Sequence, residues 1–188
     1  MRNHLERTTR RAFQTSAILL AACLAGCIIV DSKDSSYGGK QTQNSATARL
    51  VGRSGFGMTG RATFTEMEGG VLVEVTVSNV FPGHHAVHIH ENGDCSAADA
   101  SSAGGHFNPT GDPHGSPHMS QHHLGDLGNI YVQPDRTGYH SIFMPELSVK
   151  NGPRSIRDKA IVIHANADDL SSQPSGNAGA RIGCGVIH

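Results

Sequence analysis

Nine of the chain's thirteen histidines lie between His84 and His123, in a stretch with few other ionisable groups. They include His88-Ile89-His90, His106-Phe107-Asn108-Pro109, His114 and His123-Leu124-Gly125-Asp126. A further one, His164, ends the distant apolar run Ala160-Ile161-Val162-Ile163. Imidazoles in this number, with a carboxylate and no nearby thiol except Cys95, suit a borderline metal such as zinc or copper. Calcium and magnesium would call for oxygen ligands. The pattern therefore points to metal chemistry of the imidazole type.

The elements that must position these groups are strands and one long loop. Side chains two apart in a strand share a face, so His88 and His90 approach one metal together. His164 closes another strand and offers a third imidazole. Residues 91–128 are rich in Gly, Pro, His and Asp, too long and irregular for a hairpin turn, and loops of that length are usually functional. This loop offers His106, His114, His123 and Asp126. Three imidazoles and one carboxylate make a closed tetrahedral zinc site, whereas an all-imidazole set suits copper. Singly these signals are weak: an H-x-H is more often two surface histidines, and Gly-Asp-Leu-Gly is most often a turn. Their joint occurrence carries the inference.

Strand signals surround the loop. Val71, Val73, Val75 and Val77 alternate with Leu72, Glu74, Thr76 and Ser78 after a Gly69-Gly70 turn, as in a half-buried antiparallel strand. Further strands are expected at 46–51, 60–66, 86–90, 130–133, 139–144, 160–164 and 182–187, with loops at 145–153 and 168–179. No segment has helical periodicity. About eight short strands and two long functional loops imply an all-β sandwich or barrel.

At 188 residues the chain suggests one domain plus extras. Arg7, Arg10 and Arg11 precede an almost uncharged run from Ala12 to Val30, too short for a comfortable membrane span. Within it, Leu24-Ala25-Gly26-Cys27 resembles the lipobox of bacterial lipoproteins. That resemblance implies a signal peptide over 1–26 and Cys27 as the lipid-modified first residue of the mature chain. The plainer alternative is an ordinary signal peptide with a coincidental cysteine. Thr9-Arg10-Arg11-Ala12-Phe13 faintly resembles a twin-arginine signal, and both export routes end outside the cytoplasm. Residues 27–45, rich in Ser, Asp, Gly and Gln, are expected to form a flexible tether, and 46–188 the folded domain.

Four of the basic and one of the acidic side chains lie in residues 1–26, leaving 11 basic against 15 acidic and a net charge of −4. The basic residues are scattered, which argues against nucleic acid as a partner. Of the four cysteines, Cys23 leaves with the signal and Cys27 is the anchor. Cys95 and Cys184 remain, and two cysteines in an oxidising compartment most simply pair; two buried free thiols are the alternative.

Four blocks carry a resemblance to a known family. They are Gly83-His84-His85-Ala86-Val87-His88-Ile89-His90-Glu91, Gly105-His106-Phe107-Asn108-Pro109, His123-Leu124-Gly125-Asp126-Leu127-Gly128-Asn129, and Gly176-Asn177-Ala178-Gly179-Ala180-Arg181-Ile182-Gly183-Cys184-Gly185-Val186-Ile187. In this order they resemble the signature blocks of copper/zinc superoxide dismutases, over roughly residue 46 to the C-terminus. The resemblance implies an eight-stranded Greek-key β-barrel or sandwich of immunoglobulin-like type. It implies a copper ion on His88, His90, His106 and His164, and a zinc ion on His106, His114, His123 and Asp126, with His106 bridging. Asp168 matches the carboxylate that hydrogen-bonds one ligand of each metal, here His88 and His114. Arg181 matches the guanidinium that attracts superoxide, and His106 and Arg181 are the residues expected to act on it. Cys95 and Cys184 match the family disulfide.

The chain departs from better-known members in the loop after Asp168-Asp169, shortened to Leu170-Ser171-Ser172-Gln173-Pro174-Ser175 with no lysine. Steering charge beyond Arg181 then has to come from Lys150, Arg154, Arg157 or Lys159. His85 matches a structural histidine, while His84, His118 and His122 match no ligand and are expected to be solvated, with transient metal capture as the alternative. His123 rather than His122 keeps the three-residue step to Asp126. The resemblance implies a dismutase acting on superoxide, exported, periplasmic and held at a membrane, the outer one favoured because Ile28 and not an aspartate follows Cys27. A copper- or zinc-sequestering or metallochaperone lipoprotein is the alternative. Family members in bacteria occur as monomers and dimers, so a homodimer is one of two states left open.

Overall fold

The structure, a computed structural model, describes residues 44–188. The expected signal peptide, the anchor Cys27 and nearly all of the tether lie outside the described residues. Eight strands follow in order: β1 (Ser45–Gly52), β2 (Thr59–Met67), β3 (Gly70–Ser78), β4 (Gly83–His90), β5 (Asp126–Val132), β6 (Thr137–Met144), β7 (Ala160–His164) and β8 (Arg181–Val186). All pairings are antiparallel, and the sheet closes on itself in the order β1-β2-β3-β6-β5-β4-β7-β8. The connections from β3 to β4 and from β6 to β7 each skip two strands, which gives Greek-key connectivity. Closure removes the free edges that an open sheet would expose. Among the described residues no helix is long and apolar enough to cross a membrane.

Period-2 alternation sets what enters the barrel. Val73, Val75 and Val77 are buried while Thr76 and Ser78 face water. They join Leu50, Phe64, Ile130 and Ile182 in one apolar core. In β4 the alternation sends Val87 and Ile89 into that core. His88 and His90 must then point outward, yet they are 0% and 1% exposed. The barrel wall is covered there by the loops 91–125 and 165–180.

Those loops are fastened to the wall at specific points. Phe107 inserts into the core, its N–H donating to Ile89 O and its carbonyl accepting from Gly125 N–H. A side chain at Gly125 would collide with the Ile89 carbonyl, so close backbone approach requires glycine there. The Cys95–Cys184 disulfide ties the first loop to β8 across a separation of 89 residues. Closing so long a loop removes chain entropy worth about 4–5 kcal/mol in the unfolded state. Beneath it Ala100, Ala103, Ala160 and Val162 form a small second apolar cluster.

The strands β4 and β6 begin three and two residues before the expected 86 and 139, and the largest difference is at β5. β5 begins at Asp126, not near Ile130, because Asp126 already pairs with His88 of β4 and both it and Leu127 are fully buried. A buried aspartate leaves no hydrophobic signal in the sequence. Gly128, at φ 78°, accompanies a register shift opposite Ala86 to His88 that further blurs the period.

Candidate metal centre

The outward face of β4 and the end of β7 bring His88, His90 and His164 together, and the loop adds His106. One ring nitrogen from each lies within 4.8 Å of the others. His88 Nδ1 is 3.1 Å and His90 Nε2 is 3.4 Å from His164 Nε2. The opposite nitrogens are engaged elsewhere. His88 Nε2 donates to Asp168 Oδ2 at 2.7 Å, His90 Nδ1 donates to Gly104 O at 2.9 Å, and His164 Nδ1 donates to Gly179 O at 3.3 Å. A neutral imidazole has a single N–H. With that proton turned outward on each ring, the nitrogens that face one another are lone pairs, which a shared cation satisfies and a hydrogen bond cannot.

A second group adjoins the first. His106 Nδ1 is 2.8 Å from Asp126 Oδ1, and His114 Nδ1 is 3.0 Å from Asp126 Oδ2. His123 Nδ1 is 3.3 Å from both His106 Nδ1 and Asp126 Oδ1. Metal–ligand bonds of about 2.0 Å in a tetrahedron give donor–donor edges of about 3.3 Å, close to this spacing. His114 Nε2 donates to Asp168 Oδ1 at 2.9 Å, while its buried Nδ1, 3.0 Å from Asp126 Oδ2, does not meet hydrogen-bond geometry there. His88 also lies within reach of His106, His114 and Asp126. Its two nitrogens are already committed to Asp168 and to the first group, whereas His123 Nδ1 stands 3.3 Å from two donors of the second.

His106 belongs to both groups. Its Nδ1 faces Asp126 and His123, while its Nε2 is buried with no hydrogen-bond partner. Its ring lies 3.9 Å from that of His88, centroid to centroid. An orphaned buried imidazole nitrogen is costly unless something coordinates it. Both groups thus fit metal ions by donor type, spacing and unsatisfied atoms.

Electrostatics distinguishes them. Burial pulls His90 down to about 2, and burial with the neighbouring imidazoles pulls His106 down to about 4 against its hydrogen bond to Asp126. His164 falls well below its ordinary value through burial and the nearness of His88 and His90. These rings are uncharged at neutral pH, so protons do not compete for their lone pairs. At His114 burial also pulls down, but the carboxylates of Asp126 and Asp168 outweigh it and raise the ring to about 9. Burial pushes Asp126 and Asp168 up, yet hydrogen bonds from their histidines hold both far below the usual carboxylate range.

Arg181, at the start of β8, donates from Nη1 to Ala100 O and from Nη2 to Gly104 O, each at 2.7 Å. Those carbonyls flank the 3-10 turn Ser101–Ala103 that the disulfide secures. The guanidinium lines an open cavity of about 220 Å³ with His90, His106, His164, Pro174 and Ser175. None of the cations expected to supplement it lines this cavity. Lys150 lies 3.5 Å from Glu66 and Arg154 3.1 Å from Glu146. Arg157 donates to Val149 O and Ser45 O, and Lys159 to Glu91 O.

Two positioning residues escaped the sequence analysis. Asn129 grips the Asp168 backbone at both ends: Nδ2 donates to Asp168 O at 3.0 Å, and Oδ1 accepts from Asp168 N–H at 2.7 Å. Gln173 does the same to His114, with Nε2 donating to its carbonyl and Oε1 accepting from its N–H, both at 2.8 Å. Neither signal is local, since the partners lie 39 and 59 residues away. Gly176 is also required, because a side chain there would collide with the Asp168 carboxylate. His85 spans two carbonyls, Phe81 O and His164 O, at 2.8 and 2.9 Å, holding β7 to the turn before β4. His84 is exposed beside Tyr131, and His122 turns away from the centre to bond His123 O.

Comparison with known proteins agrees with this geometry. A family profile described as copper/zinc superoxide dismutase (SODC) matches residues 58–187. The Cu-Zn superoxide dismutase 2 of Aquifex aeolicus (strain VF5) is 36% identical over 173 residues, covering 89% of this chain and 98% of that protein. The Cu-Zn superoxide dismutase of Caulobacter vibrioides is 41% identical over 148 residues, covering 75% and 85%. The crystal structure of the clock protein EA4 superposes with a TM-score of 0.70 at 36% identity, covering 79% of this chain and 96% of that one.

Proposed function

The chain belongs to the copper/zinc superoxide dismutase family and is a superoxide dismutase with copper and zinc as cofactors, and we propose that it works outside the cytoplasm as a lipid-anchored protein. In this proposal copper is held by His88 Nδ1, His90 Nε2, His106 Nε2 and His164 Nε2. Zinc is held by the Nδ1 atoms of His106, His114 and His123 with Asp126. The observation that carries the assignment is His106, whose two nitrogens face two different donor groups. When bound, copper supplies the one-electron acceptor and donor that dismutation requires, and zinc supplies a fixed, redox-silent charge.

The chain's own residues do the rest. Two superoxide anions and two protons give oxygen and hydrogen peroxide, so the site must attract an anion and deliver protons. Arg181 supplies a fixed positive charge at the cavity wall, half-buried and therefore less screened than a surface cation. Its two bonds to carbonyls fix the guanidinium plane before the anion arrives. His106 Nε2, the lone pair that would face copper, is placed beside the cavity to carry a proton to the departing peroxide once that lone pair is released from the ion, while Nδ1 keeps the ring in position. Asp168 holds the outer N–H of His88 and of His114, which fixes tautomer and orientation of one ring in each group.

The Leu24-Ala25-Gly26-Cys27 motif supports export and lipid anchoring at Cys27, and from there protection against superoxide formed outside the cytoplasm. Ile28 in place of an aspartate favours the outer membrane. Dismutation by the purified protein, with both metals quantified and copper removed then restored, tests the activity. A fully loaded but inactive sample overturns it. Fractionation of cells expressing the wild type and Cys27→Ser tests the location, the variant being expected in the soluble extracytoplasmic fraction. Arg181→Ala should lower kcat/KM about tenfold or more and flatten its salt dependence, with metal content unchanged.

A further inference from the structure

We propose that His118, Met119 and His122 form a third metal site, outside the catalytic centre, that takes copper(I). These residues have no role in the two groups described above. His118 and Met119 lie at the surface, Met119 at 65% exposure, where a thioether gains nothing from packing. Among the described residues neither ring nitrogen of His118 has a hydrogen-bond partner. His122 Nδ1 donates to His123 O at 2.7 Å, leaving Nε2 free. The same device orients His90, whose Nδ1 donates to a backbone carbonyl and whose Nε2 faces the metal group.

All three side chains line one cavity of about 400 Å³, closed on its far side by Met144, Pro145 and Glu146. Glu146 is paired with Arg154 at 3.1 Å. Met144 is buried in the core at 1% exposure, so the exposed donors offered are two imidazoles and the Met119 thioether, with no free carboxylate. That set suits soft copper(I), which accepts two or three nitrogen and sulfur ligands, and gives little to calcium, magnesium or manganese. The chain runs directly from His122 to His123, so copper held here sits on the same loop that shapes the centre, in an exposed and exchangeable position.

The test uses the full chain carrying Cys23→Ser and Cys27→Ser, so that no free thiol remains, loaded with copper and zinc. Copper(I) is added without oxygen in competition with a coloured copper(I) chelator. Uptake of about one further equivalent is expected, with a sulfur shell in X-ray absorption. The loaded centre, having only nitrogen and oxygen donors, cannot give that shell. Met119→Leu should abolish the sulfur shell, and both it and His118→Gln should weaken copper(I) capture about tenfold or more while dismutation and resident metals stay unchanged. No further uptake, or a sulfur shell that persists in Met119→Leu, overturns the proposal, as does capture equal to wild type in both variants.

Discussion

The two halves of the metal centre are built in different ways. The group proposed for copper takes three of its four imidazoles from β4 and β7, where barrel closure fixes the backbone. The group proposed for zinc takes three imidazoles from one loop and its carboxylate from the first residue of β5. In the first, His90, His106 and His164 are uncharged at neutral pH and border the Arg181 cavity. The second is charged and depends on clamps from elsewhere, namely Gln173 on His114 and Asp168 on the His114 ring. Strand geometry can hold lone pairs facing one another because the ladder hydrogen bonds oppose their repulsion. A loop has no ladder, so the ion and the amide clamps must supply the order.

The largest effect is expected from Asp126→Asn, which removes the charged donor from the loop-built half alone. Zinc affinity should fall more than about 100-fold, beyond what loss of an outer supporting partner costs, with copper content close to wild type. Competition with a zinc chelator measures it. Equal loss of copper would show that the halves are not separable. Asp168→Asn acts on the carboxylate they share, and each metal should be weakened about 10- to 100-fold. Weakening of only one would break the picture of a common support.

Gln173→Ala probes the loop-built half more gently. Losing two hydrogen bonds costs about 1–2 kcal/mol, so zinc affinity should drop roughly tenfold while copper is untouched. Equal metal retention in wild type and variant would remove Gln173 from the centre.

The smallest effect is a difference in pH response of the metal-free protein. His90 and His106 have folded values of about 2 and 4, below an unfolded value near 6.5, and His164 is lowered too. The unfolded chain therefore binds more protons, and stability falls as pH drops below about 6.5 toward 4. His114 has the opposite sign. Raised to about 9, it adds stability that is fully present below about 6.5 and lost as pH climbs through 9. Melting temperatures of the metal-free protein should decline on both sides of neutrality. His114→Gln should blunt the alkaline limb only.

Much of this was legible in the residues themselves. The alternation of Val71 to Ser78 and the apolar runs around His88 and His164 outlined the strands, because pleating ties side-chain direction to sequence parity. The same parity put His88 and His90 on one face, and with Cys23 and Cys27 assigned to the expected signal and anchor, Cys95 and Cys184 remained to pair, as they do. The start of β5 was hidden, since Asp126 reads as a loop residue until its histidine partners are known. The expectation that Lys150, Arg154, Arg157 or Lys159 supplement Arg181 rested on charge alone, and each proves to be engaged away from the cavity.

By itself the sequence determined which donor types the chain carries, which strand positions face together and which family the blocks resemble. Only the tertiary structure decided which nitrogen of each ring faces its neighbours, and that Asn129 and Gln173 grip Asp168 and His114. The reason is range. Strand parity is written in neighbours two residues apart, whereas a ring's orientation is set by the partner of its other nitrogen, and Asp168 stands 80 residues from His88 and 54 from His114.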